Sequence, residues 1–222
     1  MSAFKNKCFS LAEAVADIPS GASIFVGGFG GAGIPAQLLA ALCETSRAGQ
    51  LTLINNNAGA GDPAFNKLVE TGRVARILCS YPRMPGSEGI RQRVAAGDLV
   101  VEVMPQGTLV ERIRAAGAGL GPFFTPTGYG TAFAKDKECR VIQGRGYVLE
   151  QPLAADYAFV RAAVADKTGN LMYRLAQRNF GPVMCMAAAV SIVEAEQLVE
   201  PGALDPAHIV TPGLLVDRLV KV

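Results

Sequence analysis

The sequence predicts an α/β protein with a mainly parallel sheet and covering helices. Three observations predict it. The stretch Ile24-Phe25-Val26-Gly27-Gly28-Phe29-Gly30-Gly31-Ala32-Gly33-Ile34-Pro35 reads as a strand, a glycine loop and a helix start. Apolar strand, polar loop and helix then recur through the first half of the chain, the pattern of parallel strands crossed by helices. Finally, 50% of the 222 residues are hydrophobic, enough to fill a sizeable core in one domain over residues 1–222.

Taken in order, Ser10-Leu11-Ala12-Glu13 has the form of a capping box, so a short helix opens there and runs to about Ala16. Ser23 to Val26 is the first strand. The glycines after it let the backbone adopt positive φ and admit a ligand close to the main chain. Pro35 suits a first helical turn, where its missing N–H costs nothing, and the helix start offers free N–H groups and a positive dipole end. Such a place suits a thioester, phosphate or carboxylate. Leu51 to Ile54 is the second strand, followed by the loop Asn55 to Asp62. Pro63 opens a helix to about Glu70, which Gly72 ends. Val74 to Cys79 is the third strand, leading into Ser80-Tyr81-Pro82-Arg83-Met84-Pro85-Gly86. A helix from about Ser87 to Ala96 precedes a fourth strand, Leu99 to Met104. Pro105-Gln106-Gly107 then turns into a helix near Thr108 to Ala116.

The second half is less regular. Gly117 to Gly130 reads as one long loop rich in Gly, Pro and aromatic residues. Arg140 to Leu149 reads as a hairpin across Gln143-Gly144. Tyr157 to Ala162 and Leu171 to Tyr173 read as strands about a turn at Asp166 to Gly169. Pro182 opens an apolar helix, and Val190 to Val193 and Leu214 to Val220 are late strands. In a parallel sheet, ligands lie beyond the carboxyl ends of the strands. Four loops should converge there: the glycine loop, the asparagine loop, and the loops holding Arg83 and Gln106.

Composition excludes several classes. A net charge of +2 with dispersed Lys and Arg leaves no footprint for nucleic acid. No apolar run is long enough to span a bilayer and no signal-peptide core opens the chain, so a cytoplasmic protein without membrane attachment is expected. Five scattered cysteines without C-x-x-C spacing read as reduced thiols, and with one histidine they make no metal site. Gly28, Gly30 and Gly33 match G-x-G-x-x-G, but Pro35 and the three asparagines ending the next strand argue against NAD. No Walker motif is present.

Asn56, Asn57 and Gln106 carry amides that can donate to a carbonyl oxygen on which charge develops. The same residues can instead serve an Asx turn and a helix cap. No nucleophile is evident. There is no G-x-S-x-G elbow, His208 reads as a surface loop residue, and Glu44, Glu70, Glu88 and Glu102 read as solvated. Glu150, at a strand end, is less easily set aside. The attacking group could come from another chain.

Several of these segments, in this order along the chain, resemble the A subunit of family I coenzyme A transferases. They are Val26 to Pro35, Asn56-Asn57-Ala58-Gly59, Pro105-Gln106-Gly107-Thr108-Leu109, Glu111-Arg112-Ile113-Arg114, Phe124 to Thr131, Gly169-Asn170-Leu171 with Arg178-Asn179-Phe180, and His208 to Gly213. The resemblance implies a CoA-transferase-like α/β fold and a B-subunit partner, usually in a heterotetramer. It implies CoA transfer from succinyl-CoA to a 3-oxo acid through a glutamyl-CoA thioester, with the nucleophilic glutamate on the B subunit. CoA is then a co-substrate and no separate cofactor is needed. By the same resemblance Gln106 is the oxyanion donor and Asn56 and Asn57 line the carboxylate pocket. The loop of Gly28, Phe29, Gly30, Gly31 and Gly33 shapes the site near the thioester. Cys79-Ser80-Tyr81-Pro82-Arg83 resembles the 3-oxoadipate branch more than the acetoacetate branch. Arg83 would meet the distal carboxylate of a dicarboxylic acid as a two-pronged donor. Asn55 departs from the pattern, where serine is common, and so does Met84-Pro85-Gly86. An acyl-CoA hydrolase and a non-catalytic acyl-CoA or sugar-phosphate binding protein are the other classes this loop arrangement allows.

Overall fold

The computed structural model describes residues 7–82 and 86–222. A capping box at Ser10 and Glu13 opens α1 (Leu11–Val15), with the Ser10 and Glu13 side chains each bonding the other's backbone N–H. Then β1 (Ser23–Val26), β2 (Leu51–Ile54), β3 (Val74–Cys79) and β4 (Val100–Val103) alternate with α2 (Ala36–Thr45), α3 (Pro63–Glu70), α4 (Glu88–Ala95) and α5 (Gln106–Gly117). Asp62 caps α3 by accepting from Ala64 N and Phe65 N, and Pro63 occupies its first turn. Helix α5 starts two residues earlier than expected: Gly107 is tolerated in the first turn, so Gln106 is helical and not in a loop.

The second half supplies β8 (Ala155–Asp166), β9 (Leu171–Met172), α6 (Gly181–Ala187), β10 (Ala188–Val199) and β11 (Arg218–Lys221). The main sheet has the order β11-β10-β8-β1-β2-β3-β4. All of its neighbours are parallel except β9, which folds back antiparallel on β8. Strand order reverses at β1, because the chain leaves it toward β4 and later returns on its other side as β8. A crevice at such a reversal is where open α/β sheets bind ligands.

Both faces of the sheet are covered. Ile24, Val26, Leu51 and Leu53 pack with Leu38, Leu39, Leu42, Phe65 and Leu68 of α2 and α3. Phe25, Ile54, Ala158 and Val160 pack with Leu109, Ile113, Val183 and Met184 of α5 and α6 on the opposite face. That two-sided burial is why the strands read as unbroken apolar runs.

The segment 117–130 is not one long loop. It contains β5 (Phe123–Thr125), which pairs with β7 (Arg145–Glu150) in a separate antiparallel sheet of order β5-β7-β6, with β6 covering Cys139–Ile142. The hairpin turn falls where expected, with Gln143 and Gly144 both at positive φ (50° and 76°), the twist that matches a two-residue hairpin.

Candidate active site at the carboxyl edge of the sheet

Strands β1, β2 and β3 deliver their loops side by side. The glycine loop leaves β1 with Gly27 N donating to Phe159 O of β8 at 2.9 Å. Phe29 and Ala32 exchange backbone hydrogen bonds of 3.0 Å in both directions, closing a two-residue turn. Gly30 and Gly31 occupy it at φ 56° and 88°, which glycine adopts without steric cost. Gly33, at φ 75°, passes so close to the backbone that a Cβ would stand 2.5 Å from Gln177 O. Asn179 clamps the turn from the far side: its Oδ1 accepts from Gly28 N at 3.1 Å and its Nδ2 donates to Ala32 O at 3.0 Å. The exposed Phe29 ring meets Phe180 edge-on, 6.2 Å between centroids.

The asparagine loop locks onto this turn. Asn55 is buried; its Nδ2 donates to Val26 O at 2.7 Å and its Oδ1 accepts from Asn57 N and Gly59 N at 2.9 and 2.8 Å. The side chain that departs from the family pattern therefore joins β1 to the loop after β2. Asn56 is also buried, and its amide is engaged at both ends: Nδ2 donates to Asn57 Oδ1 at 2.8 Å, and Oδ1 accepts from Ser80 Oγ at 2.6 Å. Asn57 Oδ1 accepts a second bond, from Gly30 N at 3.1 Å. Among the described residues, nothing accepts from the Asn57 amide nitrogen.

Gln106 is the exposed first residue of α5, at the same edge beyond β4, and its side chain makes no hydrogen bond among the described residues. No side chain caps this helix start. Beneath it the Thr108 hydroxyl is buried with no partner among the described residues. The structure thus ties the glycine loop to Asn56 and Asn57 by direct bonds and leaves Gln106 nearby but unconnected. Arg83 lies outside the described residues.

None of the other candidate groups is poised to attack. Glu44, Glu88 and Glu102 form surface ion pairs, and Glu70 is exposed. Glu150 is buried between Lys137, 2.6 Å away, and Arg112, 3.8 Å away. His208 is exposed beside Asp205. Burial pushes the Cys79 thiol at the end of β3 up to about 11, so it stays protonated at neutral pH and is a poor nucleophile. Sequence reasoning gave no role to Asn55, Asn179 or Glu194. Asn179 carries one local signal, a non-glycine residue at positive φ (23°) just before a helix.

The model of the coenzyme A transferase family matches residues 9–222. The chain belongs to the coenzyme A transferase family. It is 51% identical over 218 residues to the A subunit of 3-oxoadipate CoA-transferase from Pseudomonas putida, covering 98% of this chain and 94% of that one. It is 42% identical over 216 residues to the alpha subunit of acetate CoA-transferase from Escherichia coli K12, covering 97% of each. Its fold superposes on the acyl-CoA transferase of Escherichia coli O157:H7, solved as a thioester complex with CoA, with a TM-score of 0.84 at 24% identity. That match covers 98% of this chain and 47% of the other, so the chain spans about half of that longer enzyme. Parallel sheet and family are both as the sequence led one to expect. No helix among the described residues is long and apolar enough to cross a membrane.

Proposed function

We propose that this chain is the A subunit of a CoA-transferase that moves CoA from succinyl-CoA to 3-oxoadipate. The observation that carries the reading is the interlocked edge at β1 and β2, which leaves two amide donors, on Asn57 and Gln106, with no acid of this chain poised between them. An amide aimed at a thioester oxygen stabilises the charge that develops as the carbonyl is attacked, and losing one such donor costs about 10²–10³ in rate. Gln106 takes that role, and the exposed glycine turn carries the acyl-CoA across the reversal point. The attacking glutamate comes from a B subunit in a heterotetramer. Coverage of 47% of a longer single-chain transferase leaves room for such a second half. Asn56 acts differently from the expectation: with its amide engaged, it shapes the carboxylate pocket by holding Asn57, which offers the free N–H. The 51% identity to a 3-oxoadipate enzyme favours a dicarboxylic acceptor. Arg83 is the side chain the sequence offers for its distal carboxylate.

The test is co-expression with candidate B subunits and assay of CoA transfer from succinyl-CoA to 3-oxoadipate and acetoacetate in parallel. Turnover only with a partner, and faster on 3-oxoadipate, is expected. Gln106→Ala should lower kcat by about 10² with its KM nearly unchanged. Faster turnover on acetoacetate would retain the family and discard the dicarboxylate acceptor and Arg83. Release of free CoA and free acid without an acceptor would point to a hydrolase.

A further inference from the structure

Glu194 lies on β10 with no accessible surface. It stands in register with Arg161 of β8, two residues past Phe159, which pairs with the last residue of β1. Its Oε2 accepts from Gln37 N at 2.9 Å and Leu38 N at 3.0 Å, the second and third residues of α2. Its Oε1 lies 3.3 Å from Arg161 Nη1. A helix start carries partial positive charge, so this carboxylate is the counter-charge of the helix that begins where the glycine loop ends. The contacts continue. Arg161 reaches Glu196 Oε1 at 3.2 Å, which also accepts from Gln177 Nε2 at 3.1 Å, while Arg174 approaches Glu196 Oε2 at 3.6 Å. Gln177 O accepts from Asn179 Nδ2 at 2.9 Å, and Asn179 is the clamp on Gly28 and Ala32. A chain of polar contacts therefore runs from the exit of the glycine loop back to its entry.

We propose that Glu194 is a positioning residue for CoA transfer, fixing the start of α2 directly and the Asn179 clamp through Arg161, Glu196 and Gln177. The inference rests on the transferase reading above. Its consequence is a loop geometry that depends on the ionisation of a residue that never touches substrate. Burial pushes the Glu194 carboxyl up to about 7, with Asp62 at the α3 cap acting in the same direction. The N–H groups of Leu38 and Gln37 and the Arg161 guanidinium pull the other way. The charged groups around it are thus Arg161 on β8, Glu196 on β10, Asp62 before α3 and, one contact further, Arg174. Above about pH 7 the carboxylate holds both α2 and Arg161. As pH falls through that value the proton removes the ion pair and weakens the bonds to α2, so the loop loosens on the acid side.

The experiment compares the wild-type enzyme, in complex with its B subunit, with the Glu194→Gln variant in the same complex. It follows kcat and KM for succinyl-CoA from about pH 5.5 to about pH 8.5. Hydrogen exchange of the 27–40 peptide, corrected for intrinsic rate, is read in the same samples. Wild-type kcat should fall about tenfold across the acid limb with little change in KM, whereas Glu194→Gln should be flat, about tenfold low at the alkaline end and level with wild type at the acid end. Arg161→Met, which removes the opposing charge, should move the wild-type limb to higher pH. Loop exchange should rise on acidification in the wild type and not in Glu194→Gln. Wild-type kcat in Glu194→Gln, or an acid limb and loop exchange the same in both, overturns the inference. If Glu194→Gln fails to assemble, the pH dependence of wild-type loop exchange and the Arg161→Met limb decide. Absence of transfer by the wild type with every B subunit would sink the transferase reading instead, and the exchange data would still decide the role of Glu194.

Discussion

The carboxyl edge of the main sheet and the small β5-β7-β6 sheet are held in opposite ways. At the edge, position comes from backbone groups and buried amides: Asn55, Asn56, Asn57 and Asn179 bond loop to loop over distances of 2.7 to 3.1 Å. In the small sheet all four residues of β6 are exposed, and in β7 only Val148 and Glu150 are buried. Its link to the main body runs through charge. Glu150 receives Lys137 and Arg112, Arg112 Nε donates to Gln151 O at 2.7 Å, and Leu153 N donates to Arg112 O at 2.8 Å. Short neutral bonds in a packed setting fix atoms to fractions of an ångström, which a reacting carbonyl needs. Ion pairs near the surface tolerate displacement, which suits a peripheral sheet.

The largest expected effect tests the rigid region. Gly33→Ala places a Cβ 2.5 Å from Gln177 O at a φ of 75°. Strain of about 1 kcal/mol for the backbone and about 2 kcal/mol for overpacking follow, so the loop must shift or the protein lose about 3 kcal/mol. CoA transfer should drop by about 10². Gly31→Ala is the control: nothing stands within 4 Å of its Cβ, so only the backbone term remains and activity should fall much less. Equal losses of rate and melting temperature in the two variants would show that contact with Gln177 and Asn179 does not set the loop.

The second effect tests the charged anchor. Glu150→Ala leaves Lys137 and Arg112 facing one another without their shared carboxylate. Removing one partner of a buried pair costs about 3–5 kcal/mol, and because both cations are partly exposed we expect about 2 kcal/mol here. Hydrogen exchange should rise in residues 123–150 and stay constant in β1, β2 and β3. A rise spread evenly over both sheets would erase the distinction between the two regions.

The two regions also differ in how legible they are in the sequence. The bounds of β1, β2 and β3 match the expected residues, because each is a run of apolar side chains closed by Gly, Asn or Ser. The Gln143-Gly144 turn is readable because its chemistry is local. Strand β5 is not, because its partner β7 lies some twenty residues on and nothing within Phe123–Thr125 announces it. Strands β8 and β10 are longer than expected for a related reason. Arg161, Glu194 and Glu196 interrupt their apolar runs, and only pairing across the two strands neutralises them. In the site, residue types point to the right loops, but which amide is free cannot be read from them: Asn56 and Asn57 are neighbours in sequence, and only the Ser80 hydroxyl decides that Asn56 is the occupied one.

The smallest effect asks whether the rigid region is finished without its ligands. Thr108 Oγ1 is buried at the start of α5, two residues from Gln106, with no partner among the described residues. A buried hydroxyl without a partner carries a desolvation cost of about 1–3 kcal/mol, part of which Thr108→Val should recover because valine keeps the shape and drops the polar atom. The variant should melt a few degrees higher, about 1 kcal/mol more stable, with an unchanged rate of CoA transfer. A variant that is more stable but about tenfold slower would mean that the hydroxyl is satisfied during turnover. The start of α5 would then be completed by the bound acyl-CoA, and the rigidity seen at β1 and β2 would extend to β4 only when substrate is present.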